Sequence, residues 1–442
     1  MTSITQLCGL LQTLFLVDAV ELARQMKLRA RKLSATTLAC VLVFGWLQNP
    51  QAGPSYLTDV AYKLGVALKK QSINDHFTVA TANWLLALLR RAVLFVVCGE
   101  HCTIELLERF SAVVVEDGST ISFPPALQAF WKGCGGNTSK NAASKSQSAL
   151  KLTVRLDLLK GSLQGPMLQD GKTHELNSEL RVQELPAGSL WIADLGYFAF
   201  HWLQTLSQRG VYFLMRYKDT ALLWVNGKRV ELLDLLPSTA GTWLDQEVQL
   251  GADKRVKAPL IAVQVPQDVV EQRHKRIKEY ARTHQKPVNE RALELAKWTI
   301  LISNVPIALL TPLQAQSLIR ARWQIELLFK LWKQDGLIDE WRTQHAERIL
   351  CEVYAKLLAM LVQHWLLIRS SWQEPDRRLS ALARTVREQV PLLLHAFRGR
   401  LPLEQALSLM LEQIQENAPM PQRSTRPSTA QILGGAPYWG LT

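Results

Sequence analysis

The stretch 319–333, IRARWQIELLFKLWK, restricts the fold more than any other part of the chain. Read as one helix at about 100° per residue, it places Arg322, Glu326 and Lys333 within about 40° of one another. Trp323, Ile325, Leu327, Leu328, Leu331 and Trp332 cover most of the remaining surface. A solvent-facing helix has a broad polar face and one apolar stripe; this one is nearly the inverse. Such a helix is packed on most sides, so its charged seam is expected to face a cleft. A carboxylate held there needs a partner or a metal. The simplest partner for Glu326 is Arg322 one turn away, as a structural ion pair. The remaining acids decide between that reading and a functional one.

Two aspartates lie in contexts that could meet this seam. In RFSAVVVEDGSTISFP the β-branched run Val113–Val115 leads into Glu116, Asp117 and Gly118, and Thr120–Phe123 is again strand-like. This predicts a β-hairpin with Asp117 at its turn or at a strand end. In LWIADLGYF, Leu190–Ala193 is a short buried strand with Asp194 at its end. Residues 198–208 read as a helix and 211–216 as a returning strand, a β-α-β unit with an acid at the edge where α/β sheets bind ligands. Three convergent carboxylates repel unless cations lie between them. Oxygen-only ligands suit Mg²⁺, with Mn²⁺ as a substitute. Two such ions can activate a water or a 3′-hydroxyl at phosphorus, and Arg322 and Lys333 would lie beside them to hold phosphates.

The 442 residues allow two or three domains, or one with an insertion, and 48% hydrophobic content allows a large core. With 51 Lys and Arg against 38 Asp and Glu, the net charge of +13 favours an anionic partner, nucleic acid before membrane. The apolar runs 38–46 and 357–368 are too short to span a bilayer, and 84–98 is broken by Arg90 and Arg91. The first residues lack a basic stretch followed by an apolar run, so no signal peptide is expected and the chain reads as soluble and intracellular. Six scattered cysteines do not form a disulfide framework, and Cys98, His101 and Cys102 lack a standard zinc spacing. The Gly-, Ser- and Lys-rich segment carrying Lys132, Lys140, Lys145 and Lys151 matches no nucleotide-binding loop.

Residues 1–105 read as helical, with basic patches at Lys27, Arg29, Arg31 and Lys32 and at Lys69, Lys70, Arg90 and Arg91. They are either a DNA-end-binding region or a scaffold with solvated charges. Between Asp194 and Glu326 the chain is too long for a simple connection. Strand-like pieces in 220–266 and a basic segment over 268–287, a helix running into a loop, predict an inserted, mainly β region, after which WTILISNVP returns as a core strand. Residues 342–370 predict a long helix across the core, and 376–400 are arginine-rich. From Asn417 the chain is rich in Pro, Ser and Thr and is expected to be poorly ordered.

These blocks, taken in order, resemble a DDE-type bacterial transposase. More closely, they resemble the insertion-sequence branch with a Tyr-Arg-Glu-Lys signature. Arg322, Glu326 and Lys333 match that signature in type and spacing, VVVEDGSTISFP with WKGCGGN resembles the block of the first catalytic aspartate, LWIADLGYF the second, and ILISNVP the strand before the signature helix. The resemblance spans roughly 105–370. It departs at Ile319, which occupies the tyrosine position and cannot donate a hydrogen bond.

The resemblance implies an α/β fold, an RNase H-like catalytic core interrupted by a β-rich insertion, with helical N- and C-terminal regions. The expected division is 1–105 helical; 106–219 and 298–370 the two parts of the core; 220–297 the insertion; 371–416 a helical DNA or dimer contact; and 417–442 a disordered tail. It also implies Asp117, Asp194 and Glu326 as catalytic, Mg²⁺-binding residues, with Arg322 and Lys333 positioning DNA phosphates. The expected partners are double-stranded DNA, both terminal inverted repeats and target, and a second copy of the chain in a paired-end complex, with no membrane. The expected place is the bacterial cytoplasm, at the nucleoid when DNA-bound. The reaction would be cut-and-paste transposition: water cuts at the element end, the freed 3′-hydroxyl forms a hairpin, and the reopened end is joined to target. Two alternatives stay open, a DNA-binding relic impaired at Ile319 and a metal-dependent nuclease without strand transfer.

Overall fold

The long apolar run in the C-terminal half becomes the axis of the molecule. In the computed structural model, helix Ala346–Ser371 is buried along nearly its whole length. The structure describes residues 1–28, 32–134, 147–236, 243–251, 256–374, 377–417 and 427–435. Arg29 and Arg31, Lys140 and Lys145, and the Gly135–Asn137 end of the WKGCGGN block lie outside the described residues.

On one side of the axial helix pack helices Ala35–Gln48 and Val79–Ala92, and beside it pack Leu379–Phe397 and Leu403–Glu416. The N-terminal helical run from Ile4 to Gln25 widens to a π-helix at Thr13–Asp18. It joins the C-terminal region through three rings: Phe15 lies 4.8 Å from Phe44, and both lie 5.4 Å from Phe397. The runs Ile4–Gln25 and Ala346–Ser371 are long and apolar enough to cross a membrane, but the second is wholly enclosed by protein, as a core helix of a folded domain is. All six cysteines are free.

On its other side the axial helix meets the sheet end. His364 Nε2 lies 2.8 Å from the Gly161 carbonyl, Trp372 donates to the Leu158 carbonyl, and Trp131 donates to the Tyr354 hydroxyl. The strands are β1 (Val113–Phe123), β2 (Ser148–Asp157), β3 (Leu163–Asp170), β4 (Leu190–Ala193), β5 (Tyr212–Arg216), β6 (Leu223–Val225), β7 (Lys228–Val230), β8 (Trp243–Leu250), β9 (Val256–Gln264) and β10 (Trp298–Ser303). They form one sheet in the order β3-β2-β1-β4-β5-β10-β9-β8-β6-β7. Strands β1, β4 and β5 are parallel, and every other pairing is antiparallel.

This α/β architecture is the class expected from the sequence. The region between Asp194 and Glu326 differs from expectation in one respect: it does not leave the sheet. Its strands pair with returning β10 and lengthen the same sheet, because β10 lies antiparallel to β5 and leaves its far edge free for β9. The tail expected to be disordered contains a short helix, Thr429–Leu433, packed on the segment 312–322, where Ile432 and Leu433 bury their side chains.

Candidate functional site

Register brings the two aspartates together. The parallel ladder pairs Val113 with Leu190 and ends with Glu116 opposite Ala193. One residue further along each strand stand Asp117 and Asp194. Strand β4 stops there, and the Asp194 carbonyl accepts the Tyr197 N–H as the chain turns through Leu195–Tyr197. Strand β1 does not stop. The predicted hairpin at Asp117–Gly118 is corrected by the structure: β1 is one strand of 11 residues, and β2 pairs with it from Val114 to Phe123. A partner strand that far away in sequence overrides the local turn preference of Asp-Gly. Asp117 is therefore mid-strand, at the point where β1 loses its second neighbour.

Alternation of side chains separates Glu116 from Asp117. Glu116 is fully buried on one face, where Arg155 donates to it from Nε at 3.1 Å and Nη2 at 2.8 Å, and Trp191 from Nε1 at 3.0 Å. Asp117 falls on the other face with Val113 and Val115, whose apolar cluster includes Ile325 and Leu328 of the signature helix.

That helix begins with a capping box between Thr311 and Gln314 and Pro312 in its first turn. It is not one uniform α-helix. It runs as α over Pro312–Leu318, tightens to 3₁₀ over Ile319–Arg322, returns to α over Trp323–Lys330 and widens to π over Leu331–Asp335. Ile325, Leu328, Leu331 and Trp332 are buried as expected, but Trp323 is 53% exposed. Gly336 ends the helix where a side chain would strike Met360 and the Trp332 carbonyl.

The expected Arg322–Glu326 pair is present, Nη2 to Oε1 at 2.6 Å, but it is not the whole arrangement. The Arg322 Nη1 also reaches Asp117 Oδ2 at 3.5 Å, so one guanidinium links the signature helix to the sheet. Lys333 donates to the Thr120 carbonyl at 3.0 Å and lies 3.8 Å from Asp339. Burial, helped by Asp194 and Glu326 and opposed by the Gly118 N–H and Arg322, brings the Asp117 carboxyl up to about 6. All three acids thus lie within electrostatic reach of one cleft.

Sequence reasoning missed Arg216. It closes β5, whose ladder pairs Ile192 with Leu214, so Arg216 stands level with Asp194 on the next parallel strand. Burial lowers its pKa, as does Arg322, while Asp194 and Glu326 raise it. The signal was available: a basic residue ends the apolar strand VYFLM, as Asp194 ends LWIA.

Among the described residues, no three His, Cys, Asp or Glu side chains converge closely enough to hold a metal ion as they stand, and this includes Cys98, His101 and Cys102. Arg322 lies between Asp117 and Glu326, paired closely with Glu326 and more loosely with Asp117. The donor chemistry still fits a hard divalent cation: the acids offer only oxygen, and a cation would offset the burial and repulsion that raise Asp117.

Residues 108–362, more than half of the chain and all three acids, match the model of the family described as Transposase DDE domain. The chain is 23% identical, over 94% of its length and 91% of the relative's, to the transposase for insertion sequence element IS231F of Bacillus thuringiensis subsp. israelensis. It is 23% identical to that of IS231B of subsp. berliner, over 97% of this chain and 94% of the relative. To the transposase for IS1151 of Clostridium perfringens it is 22% identical, over 79% and 78% of the two lengths. The chain belongs to the transposase DDE domain family and is a DDE-type transposase of the insertion-sequence kind.

Proposed function

We propose that this chain catalyses divalent-metal-dependent cleavage at the ends of its own element and transfer of the freed 3′ strands into target DNA. The observation that carries this reading is the alignment of Asp117 and Asp194 at one level of two parallel strands, with Glu326 joined to Asp117 through Arg322. We assign the strands β3-β2-β1-β4-β5 and the signature helix to an RNase H-like core, the strands β6–β9 to its insertion, and the chain to the Tyr-Arg-Glu-Lys branch. Its proposed partners are terminal-repeat and target duplexes and a second copy of the chain, acting in the bacterial cytoplasm.

Asp117, Asp194 and Glu326 would hold Mg²⁺, two ions in the complete site. When bound, the metal would supply an activated water or 3′-hydroxyl and stabilise the leaving oxygen at phosphorus. The chain's own groups do the rest. Asp117, with a pKa of about 6, must lose its proton to serve as a ligand, so ligand competence rises with pH through that value. Once carboxylate charge is neutralised, Arg322 is free to turn from Asp117 to a DNA phosphate, bidentate and planar. Lys333, held against β1 at Thr120, fixes a second positive charge on the same side.

The test is incubation with terminal inverted-repeat DNA and Mg²⁺. Wild type is expected to cut and join, and Glu326→Gln to bind ends without cutting. Substantial Mg²⁺-dependent cleavage by Glu326→Gln overturns the site. Hydrolysis without joining by wild type identifies a nuclease. Binding without cleavage identifies a relic, the reading favoured by Ile319, which is buried where a hydrogen-bond donor is expected.

A further inference from the structure

Arg216 closes β5, and the sheet register sets it in line with the two aspartates. Strand β1 pairs Glu116 with Ala193 of β4, and β4 pairs Ile192 with Leu214 of β5. Asp117, Asp194 and Arg216 therefore form one row across three parallel strands. Neighbouring strands lie about 4.8 Å apart, so Arg216 stands one strand from Asp194 and two from Asp117. Alternation puts all three on one face. Val115, Ile192 and Leu214, two residues back on each strand, share the core cluster of Ile325 and Leu328, whereas Val114, Ala193 and Met215 belong to the cluster behind the sheet. The 3₁₀ turn that ends at Arg322 packs on β1 and β4 over this face, beside the row.

Arg216 is half-buried, yet among the described residues its guanidinium makes no hydrogen bond and no ion pair. Other arginines of the sheet region are engaged. Arg155 is held by Glu116, Gln164 and the carbonyls of Leu180 and Gln183, and Arg273 by the carbonyls of Ala296 and Trp298 and by Thr299 Oγ1. A guanidinium carries five N–H donors, and groups of this kind are rarely buried without acceptors. Arg216 and Asp194 adjoin but do not close on each other, so neutralising that aspartate is not what keeps the arginine there. Its neighbour on the other strand, Leu301 of β10, is apolar. The missing acceptor must therefore come from outside the chain. Phosphodiester oxygens suit it, since a guanidinium binds them in a planar, bidentate way. The other free-standing cation of the cleft, Lys333, is held on the β1 side at the Thr120 carbonyl. Positive groups thus flank the acid row on both sides, which fits a strand crossing the row and not one small anion.

We propose that Arg216, level with Asp194 on the next strand, is a phosphate-binding residue of the acid cleft that grips the DNA backbone on the β5 side, opposite Lys333. This rests on the DNA-cleaving reading above, and it extends that site by a residue outside the Arg-Glu-Lys signature.

The test uses full-length Arg216→Met and Arg216→Lys, with Arg229→Met as a control that removes an exposed charge from β7 at the far edge of the same sheet. Three quantities are measured: binding of a terminal-repeat duplex across a salt series, cleavage in Mg²⁺ at saturating duplex, and urea unfolding without metal or DNA. Arg216→Met is expected to lower the salt slope by about 0.9, for one lost phosphate contact. It is also expected to slow cleavage at least tenfold and to unfold at a urea midpoint no lower than that of wild type. Arg216→Lys should regain the slope, because a cation remains, but not the full rate, because an ammonium cannot bind in a bidentate way. Arg229→Met should stay within twofold of wild type in affinity and rate. An unchanged slope in Arg216→Met overturns the phosphate contact, and a lower urea midpoint with that unchanged slope assigns Arg216 a structural role instead. A wild-type cleavage rate in Arg216→Lys overturns the bidentate grip. Wild type that binds but never cuts overturns the cleavage reading, while the salt slopes still decide the role of Arg216.

Discussion

Glu116 and Asp117 are consecutive acids with opposite fates, and the pleat decides which is which. Glu116 is sealed among Arg155 and Trp191, whereas Asp117 opens to the cleft, where burial and two neighbouring acids hold its pKa near 6. The folded chain therefore keeps a proton that the unfolded chain releases from the ordinary value of 3.8 upward. Stability tied to this group is complete below 3.8 and is lost as pH rises through about 6. Without divalent metal, Asp117→Asn is thus expected to be more stable than wild type at pH 7.5, by about 3 kcal/mol. The gain should vanish below pH 4, where both side chains are neutral, while cleavage is abolished at every pH. Urea unfolding across that range checks this; a variant no more stable at pH 7.5 than at pH 4, relative to wild type, would mean that Asp117 is not strained in its ionised form.

Elements with a strong local pattern were legible in the sequence. The strand leading to Asp194, its helix and return, β10 and the axial helix all stand where apolar runs and their breaks put them. What was illegible depended on distant partners. The straight course of β1 through Asp-Gly depends on β2, and the joining of β9 to β10 depends on an edge left free by β5. Within the signature helix, the shifts to 3₁₀ and π geometry alter which residues share a face, and no side-chain pattern announced them. The end of that helix has its own support. Lys356, 2% exposed on the axial helix, pairs with Glu352 at 2.8 Å and donates to the carbonyls of Leu337 and Glu340 at 3.0 and 2.8 Å. It thereby fixes the turn that presents Asp339 to Lys333. Lys356→Met would strand a buried Glu352 and free two carbonyls, at a cost of about 3 kcal/mol in urea unfolding. It should also slow cleavage through looser placement of Lys333. Wild-type stability in Lys356→Met would show that the pair is dispensable.

At the scale of the whole molecule, the helical region 1–105, which the sequence leaves as either a DNA-end-binding region or a scaffold with solvated charges, is packed into the same body as the axial helix. Helices Ala35–Gln48 and Val79–Ala92 cover the axial helix, and Phe15 and Phe44 close on Phe397. Gly99 approaches the axial helix so closely that a Cβ would strike the Ile368 carbonyl, and its N–H donates to the Lys160 carbonyl at 2.7 Å. Thr2 is tied to Cys98 in both directions, through its backbone N–H and its hydroxyl. The hydrophobic surface of Ala346–Ser371 thus has two covers, the sheet end and the N-terminal helices, and the acid cleft is braced against the same helix through Gly336 and Lys356. Removing 1–105 would expose one side of a helix of 26 largely apolar residues, a patch large enough to drive association. The truncated chain 106–442 is therefore expected to aggregate, or to lose cooperative unfolding, rather than survive as a minimal catalytic core. A monodisperse fragment that unfolds cooperatively and still cuts DNA would show that the N-terminal helices are an accessory domain. If the fragment fails as expected, any loss of end binding on truncation reflects a broken core, and DNA contacts of the N-terminal region must be sought by surface substitutions, such as Lys69 or Lys70, that leave the axial helix covered.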